Sequence, residues 1–139
     1  MVKNKKQKGS NAERELIHFF WKQGWAAVRV AGSGSMKYPS PDIVASNAVR
    51  RLAIECKAVG DEKKYLAQED VEQLCAFAQK FGAEAWLAVR FDDENWYFMN
   101  VEDLRNTKGN NYSLDITLAK QKGLLFEEAI GIFRQQKLI

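Results

Sequence analysis

The sequence predicts an α/β fold, a central β-sheet flanked by helices. Three observations predict it. Leu16, Ile17, Phe19 and Phe20 form an apolar stripe at helical spacing near the start of the chain. Val71, Leu74, Cys75, Ala78 and Phe81 form a second such stripe in the middle. Short β-branched and apolar runs stand before and after that second stripe, giving the order αβββαββ that closes into one layered domain.

The first helix is expected to begin near Ser10, because Ser10-Asn11-Ala12-Glu13 has the Ser-x-x-Glu form of a capping box, and to end at Gly24. Trp25 to Ala31 is apolar and β-branched enough for a strand. The Gly-, Ser- and Pro-rich stretch from Gly32 to Pro41 reads as a loop. Two strands follow as a hairpin, about Asp42 to Ala45 and Leu52 to Ala58, with Ser46-Asn47 in the turn region. After a charged loop, a second helix runs from Ala67 to Phe81 and stops at Gly82. Ala85 to Phe91 and Trp96 to Val101 make a second hairpin around Asp92-Asp93-Glu94-Asn95. A polar loop near Asn106 to Asn111, a short strand and a helix around Phe126 to Arg134 complete the reading.

The 139 residues suit a single domain, with residues 1–9 as a basic, flexible N-terminal arm. Hydrophobic residues make up 46% and charged residues 28%, the balance of a globular protein rather than a disordered one. No apolar run approaches the roughly 20 residues that cross a bilayer, and the N-terminus lacks a secretory h-region. A cytoplasmic protein with no membrane partner is expected. The net charge of +3 is uninformative, but Lys3, Lys5, Lys6 and Lys8 crowd the start. That run suits a nucleic-acid-contacting arm and equally a solvated tail. Cys56 and Cys75 sit in hydrophobic runs and are read as buried free thiols. With His18 the one histidine, a Cys/His zinc site is excluded, so any metal must take oxygen ligands, as Mg²⁺ or Mn²⁺ does.

The chemistry centres on Pro41-Asp42-Ile43-Val44-Ala45 and Leu52-Ala53-Ile54-Glu55-Cys56-Lys57. Strand alternation points Glu55 and Lys57 to one face and Ile54 and Cys56 to the other, while Asp42 opens the neighbouring strand at the same end. Two carboxylates and an ammonium gathered there are costly as mere structure, and a divalent cation removes the cost. Such a set suits phosphodiester hydrolysis, with Lys57 orienting or deprotonating the attacking water or stabilising the phosphoryl charge. The bland counterpart is an exposed Glu-Lys ion pair on a strand face. Glu13 either completes the capping box or turns its carboxylate toward Asp42 and Glu55. Arg14, Arg29, Lys8 and Lys37 are candidate phosphate contacts, and the Gly32 to Ser35 loop can meet a DNA backbone through its N–H groups and hydroxyls.

Pro41-Asp42 and Glu55-Cys56-Lys57 match the PD-(D/E)xK nuclease signature. More narrowly, the chain resembles an archaeal Holliday junction resolvase of the Hjc type. The resemblance covers nearly the whole length: Lys8-Gly9-Ser10 with Glu13-Arg14, Gly24 to Arg29, Gly32-Ser33-Gly34-Ser35, Pro41-Asp42-Ile43, Ile54 to Lys57, and Phe77 to Gly82. It implies a restriction-endonuclease-like fold with a mixed central sheet. It implies Glu13, Ser33, Asp42, Glu55 and Lys57 as catalytic residues, with Glu13, Asp42 and Glu55 on Mg²⁺ and Mn²⁺ as a possible substitute. Ser35 stays open as the alternative to Ser33. DNA contacts fall on Arg14 and Arg29, joined by Lys8, Ser35 and Lys37. The family implies a homodimer that nicks two opposing strands of four-way junction DNA, since one short chain with one site cannot make two symmetric cuts. Two other functions compete: a nuclease of the same superfamily acting on linear or damaged duplex, and a non-catalytic DNA-binding subunit.

Overall fold

The computed structural model describes residues 5–30, 38–60, 63–92, 94–107 and 109–132, with side chains from residue 11 onward. Helix α1 (Lys5–Lys22) leads into strands β1 (Ala26–Arg29), β2 (Ile43–Ser46), β3 (Arg51–Val59) and β4 (Lys63–Ala67). Helix α2 (Gln68–Phe81) follows, then β5 (Glu84–Phe91), β6 (Trp96–Met99), a 3₁₀ turn (Val101–Asp103), β7 (Arg105–Asn106), β8 (Asn111–Asp115), α3 (Ile116–Lys122) and α4 (Phe126–Ala129). Five strands form a sheet in the order β1-β2-β3-β5-β6 and three form a smaller one, β4-β8-β7. The larger sheet is mixed: β3 runs parallel to β5, and every other pairing is antiparallel. The expected α/β architecture with a central mixed sheet is therefore observed.

Burial explains how the layers hold. Ala12, Leu16 and Phe20 recur one helical turn apart on α1 and are buried against Ile43, Ile54, Ala88 and Phe98 of the sheet. Cys56 and Ala58 lie on that same face of β3. The opposite face presents Ala53 to Leu74 and Ala78 of α2. Val59 joins a third cluster with Leu66, Val71 and Leu87. Helix α2 ends where Gly82 adopts φ 76°, the left-handed conformation that a Cβ disfavours, and its N–H donates to the Ala78 carbonyl.

Several elements differ from expectation. Helix α1 begins at Lys5, so Ser10 lies inside the helix and Ser10–Glu13 is not its capping box. The expected flexible arm over residues 1–9 is thus corrected from Lys5 onward: Lys and Gln are good helix formers, and one glycine costs too little to stop the helix. The first strand is shorter than Trp25 to Ala31. Trp25 is buried, and its N–H donates to the Phe20 carbonyl at the helix end. The charged segment before α2 contains β4, whose partner β8 lies far along the chain, from Asn111 to Asp115. Only Leu66 of β4 is buried, too weak a pattern to read alone. Helix α3 also went unread, although the Asp115 carboxylate caps it by accepting the Leu118 N–H at 2.8 Å. Among the described residues, no helix is long and apolar enough to cross a membrane.

Arg50, in the β2–β3 turn, ties the end of the sheet remote from Asp42. It donates to both Glu84 carboxylate oxygens at 2.8 Å and to the Ala129 carbonyl at 2.8 Å, with its guanidinium carbon 5.7 Å from the Trp25 ring centroid. A half-exposed ion pair alone contributes little, but the α4 carbonyl and the indole face would lose their partner together. Arg50→Ala is expected to cost about 1–3 kcal/mol, read as a lower midpoint in urea unfolding.

Candidate active site

Asp42 stands between Pro41, which is buried and needs no ladder N–H donor, and the first residue of β2. Its backbone N–H donates to the Ile54 carbonyl at 3.0 Å, and its carboxylate accepts the Cys56 N–H at 2.8 Å. The side chain thus takes the place of the next ladder bond and is fixed beside β3. Glu55 and Lys57 share one face of β3 and both line a crevice with Leu66, Asp70, Val71 and Leu74. Lys57 Nζ lies 3.6 Å from Glu55 Oε2, as an ion pair with about a quarter of each side chain exposed, 26% and 24%.

Glu13, on α1, lies near enough to Asp42 for the charge of Asp42 to act on it. Its carboxylate is paired with Arg29, Nε to Oε1 2.8 Å, and Arg14 lies near enough to act on it as well. Arg14 is exposed and donates to the Asn11 side chain at 3.4 Å. Cys56 supplies its backbone N–H to Asp42, while its thiol belongs to the α1-facing core. Burial pushes that thiol well above its usual range, and the carboxylates of Asp42, Glu13 and Glu55 add to the effect. The sequence reading of two buried thiols is corrected: Cys56 and Cys75 are free but only partly buried, Cys56 because it sits near the open end of β3.

The electrostatics show what the site lacks. Burial, then the neighbouring charge of Asp42, pushes Glu55 up to about 7, against the pull of Lys57. Burial also raises Glu13; the Arg29 hydrogen bond opposes the rise and Asp42 adds to it. Asp42 is thus a negative charge felt from both layers. Among the described residues, no three side chains form a ready metal cluster, so Glu13, Asp42 and Glu55 are not drawn to one point. Glu13 is instead held by Arg29. The donor chemistry still fits Mg²⁺, which is commonly held by one or two carboxylates with water and substrate phosphate completing its shell. Asp42 and Glu55 are such a pair.

Of the other residues expected at the site, Ser33, Ser35 and Lys37, and the Lys8 side chain, lie outside the described residues. Arg14 and Arg29 both stand on the Glu13 side of Asp42.

Comparison with known proteins identifies the family. The family model described as "Archaeal holliday junction resolvase (hjc)" matches residues 4–138. The chain belongs to the archaeal Holliday junction resolvase family. Among its relatives in that family is the "Crossover junction endodeoxyribonuclease Hjc" of Archaeoglobus fulgidus, 42% identical over 132 residues, covering 91% of this chain and 97% of the relative. The protein of that name from Methanocaldococcus jannaschii is 36% identical over 137 residues, covering 99% and 97%. The solved structure of Archaeoglobus fulgidus Hjc, a Holliday junction resolvase, superposes with a TM-score of 0.82 at 41% identity, covering 92% of this chain and 99% of that one. The restriction-endonuclease-like architecture inferred from the family resemblance is thereby borne out.

Within this resolvase fold, two features escaped the sequence reading. Asp70, in the first turn of α2, lines the Glu55–Lys57 crevice and its charge raises Glu55 further. Glu15 accepts from Arg90 at 2.6 Å and from the Trp96 indole N–H at 3.2 Å, keying α1 to β5 and β6 next to Glu13. Neither has a local signal, because the partners are brought together only by the sheet.

A proton-affinity shift of this kind links stability to pH. The native state keeps Glu55 protonated up to about 7, whereas the unfolded chain releases that proton near the ordinary glutamate value of 4.5. The contribution to stability is therefore present below the unfolded value and is lost as pH rises through about 7. In EDTA, thermal unfolding should show Glu55→Gln gaining on the wild type as pH rises from about 5 to 8. A constant difference between the two proteins across that range would refute the shift.

Proposed function

We propose that this chain is a crossover junction endodeoxyribonuclease that holds Mg²⁺ on Asp42 and Glu55 and cuts two opposing strands of a four-way DNA junction. The observation that carries the proposal is the union of Asp42 with Glu55 and Lys57 at one end of β2 and β3, two mutually repelling carboxylates beside an ammonium. Mg²⁺ would relieve that repulsion, polarise the scissile phosphoryl group and lower the pKa of a bound water; Mn²⁺ would serve as a substitute.

The chain's own residues divide the remaining work. Asp42 is held rigid by the Cys56 N–H, so its carboxylate keeps one position as DNA arrives. Lys57 orients the attacking water or opposes the charge that builds on the phosphorus. Glu13 is the outer carboxylate of the set. Its hold on Arg29 keeps that guanidinium beside the metal-binding residues, where it and Arg14 can grip the phosphates flanking the cut. Ser33 or Ser35, Lys37 and Lys8 extend the proposed DNA contact from the loop and the start of α1.

Two symmetric cuts require two sites, and we assign them to a homodimer. Its proposed face is the uncovered side of α2 and β1–β2. Phe77 and Phe81 stack at 5.0 Å between ring centroids, and Tyr38 and Val28 stand exposed at 68% and 56%. Apolar grooves lie on both sides of Phe81, one bounded by Tyr38 and Pro39 and the other by Val28 and Val44. A single protein would leave this patch wet, whereas a second copy would cover it. With DNA as the proposed substrate, the proposed site of action is the cytoplasm.

The decisive assay offers end-labelled four-way junction and linear duplex of the same sequence in competition, with Mg²⁺. Paired nicks confined to the junction are expected; equal cutting of both would make the protein a general nuclease. Asp42→Asn and Glu55→Gln should each abolish cutting while leaving junction binding, measured by gel shift in Ca²⁺, largely intact. Equal loss of binding would show that these carboxylates serve the fold or the DNA contact instead. Phe81→Asp should give a monomer in sedimentation and replace paired nicks by single ones; an unchanged dimer would move the interface elsewhere.

A further inference from the structure

Lys57 has a difficulty that its strand does not solve. Its crevice is walled mainly by Leu66, Val71, Leu74, Leu87, Val101 and Leu104. An ammonium in such surroundings needs an opposing charge, and its ion pair is with Glu55. On the metal-binding reading of Asp42 and Glu55, on which this inference rests, the negative charge of Glu55 is largely taken up by the cation. Lys57 then loses its partner at the moment it must be held still.

Asp70 is the other carboxylate lining that crevice among the described residues. It stands in the first turn of α2, and the described residues give it no ion pair or hydrogen bond of its own. We infer that Asp70 is a positioning residue, which takes over the Lys57 ammonium when Glu55 binds metal and so keeps it aimed at the scissile phosphate. The closeness of Asp70 to Glu55 is independently visible in its effect on the proton affinity of Glu55. A simpler role, complementing the dipole of α2, is already served by Glu69 in the same turn. That role also gives no reason for a carboxylate at the exposed rim of the Glu55–Lys57 crevice. Before metal binds, Asp70 repels Glu55, so a cation relieves Glu55 of two negative neighbours rather than one.

The test compares wild type, Asp70→Asn and Asp70→Glu in the full chain. Single-turnover cleavage of the junction at saturating Mg²⁺, junction affinity in Ca²⁺ and thermal midpoint are measured for each. Asp70→Asn should slow cleavage by roughly tenfold to a hundredfold, the cost of a misplaced catalytic group, with affinity and thermal midpoint nearly unchanged. Asp70→Glu should restore most of the rate. In ¹³C-lysine-labelled protein with Ca²⁺, the Lys57 ε-carbon resonance should be resolved in wild type and collapse toward the mobile lysines in Asp70→Asn. Wild-type cleavage by Asp70→Asn would overturn the inference, as would a rate loss matched by lost affinity or lost folding, or a Lys57 resonance that does not change. Failure of the underlying metal reading is seen separately, as Asp42→Asn or Glu55→Gln that still cut the junction.

Discussion

The pairing of β2 with β3 is the constraint on which the site depends, because it places a carboxylate where a ladder hydrogen bond would stand. Asp42 donates its N–H to the Ile54 carbonyl and accepts the Cys56 N–H on its side chain, so backbone and side chain are both engaged by β3. A loop aspartate would sweep through many rotamers; this one is tied at both ends. Its location also decides what it can influence. At the end of the sheet it is open to both layers, and its charge reaches Glu55 on the α2 face and Glu13 on α1.

That double reach divides the site into two halves with different chemistry. On the α1 side, Glu13 is neutralised by Arg29 with Arg14 nearby, so this half is dominated by guanidinium groups suited to phosphate. On the α2 side, Glu55 and Lys57 line a crevice with apolar walls, where charges are less screened than at the surface, and the exposed Asp70 stands at its rim. The first half is suited to holding a backbone and the second to acting on it. Maintaining repelling carboxylates costs stability, and the fold offsets it far from the site. The aromatic cluster of Phe20, Trp25, Phe98 and Phe126 lies in the α1-side core, and the Arg50–Glu84 staple closes the far end of the strands.

Much of this was legible in the sequence, for local reasons. Strand alternation alone places Glu55 and Lys57 together, because the period of two leaves no other arrangement. Helical spacing locates α2, and Gly82 marks its end through a backbone conformation that only a glycine adopts easily. What escaped the reading depends on distant partners. Strand β4 has one buried residue and acquires its identity from β8, so no window around Lys63–Ala67 contains the signal. Asp70 looks like any acidic first-turn residue until the sheet brings the crevice of Glu55 and Lys57 beside it. Glu13 is the instructive case. The capping-box pattern around Ser10 is present in the letters, but α1 extends five residues beyond it, and the carboxylate is released to meet Arg29.

Helix α2 connects the two ends of the proposed mechanism. Asp70, Leu74, Phe77 and Phe81 recur at spacings of three and four, so they lie along one side of the helix. The crevice and the exposed Phe81 patch are therefore separated by about three turns, roughly 16 Å of rigid helix. A resolvase must place two scissile phosphates at a spacing set by the junction, and errors of an ångström in that spacing carry a large penalty in rate. A loop between interface and active site would let the spacing drift. A dimer built on Phe81 would transmit it through helical hydrogen bonds and the Leu74–Ala53 contact beneath them, making the distance between the two sites a property of secondary structure.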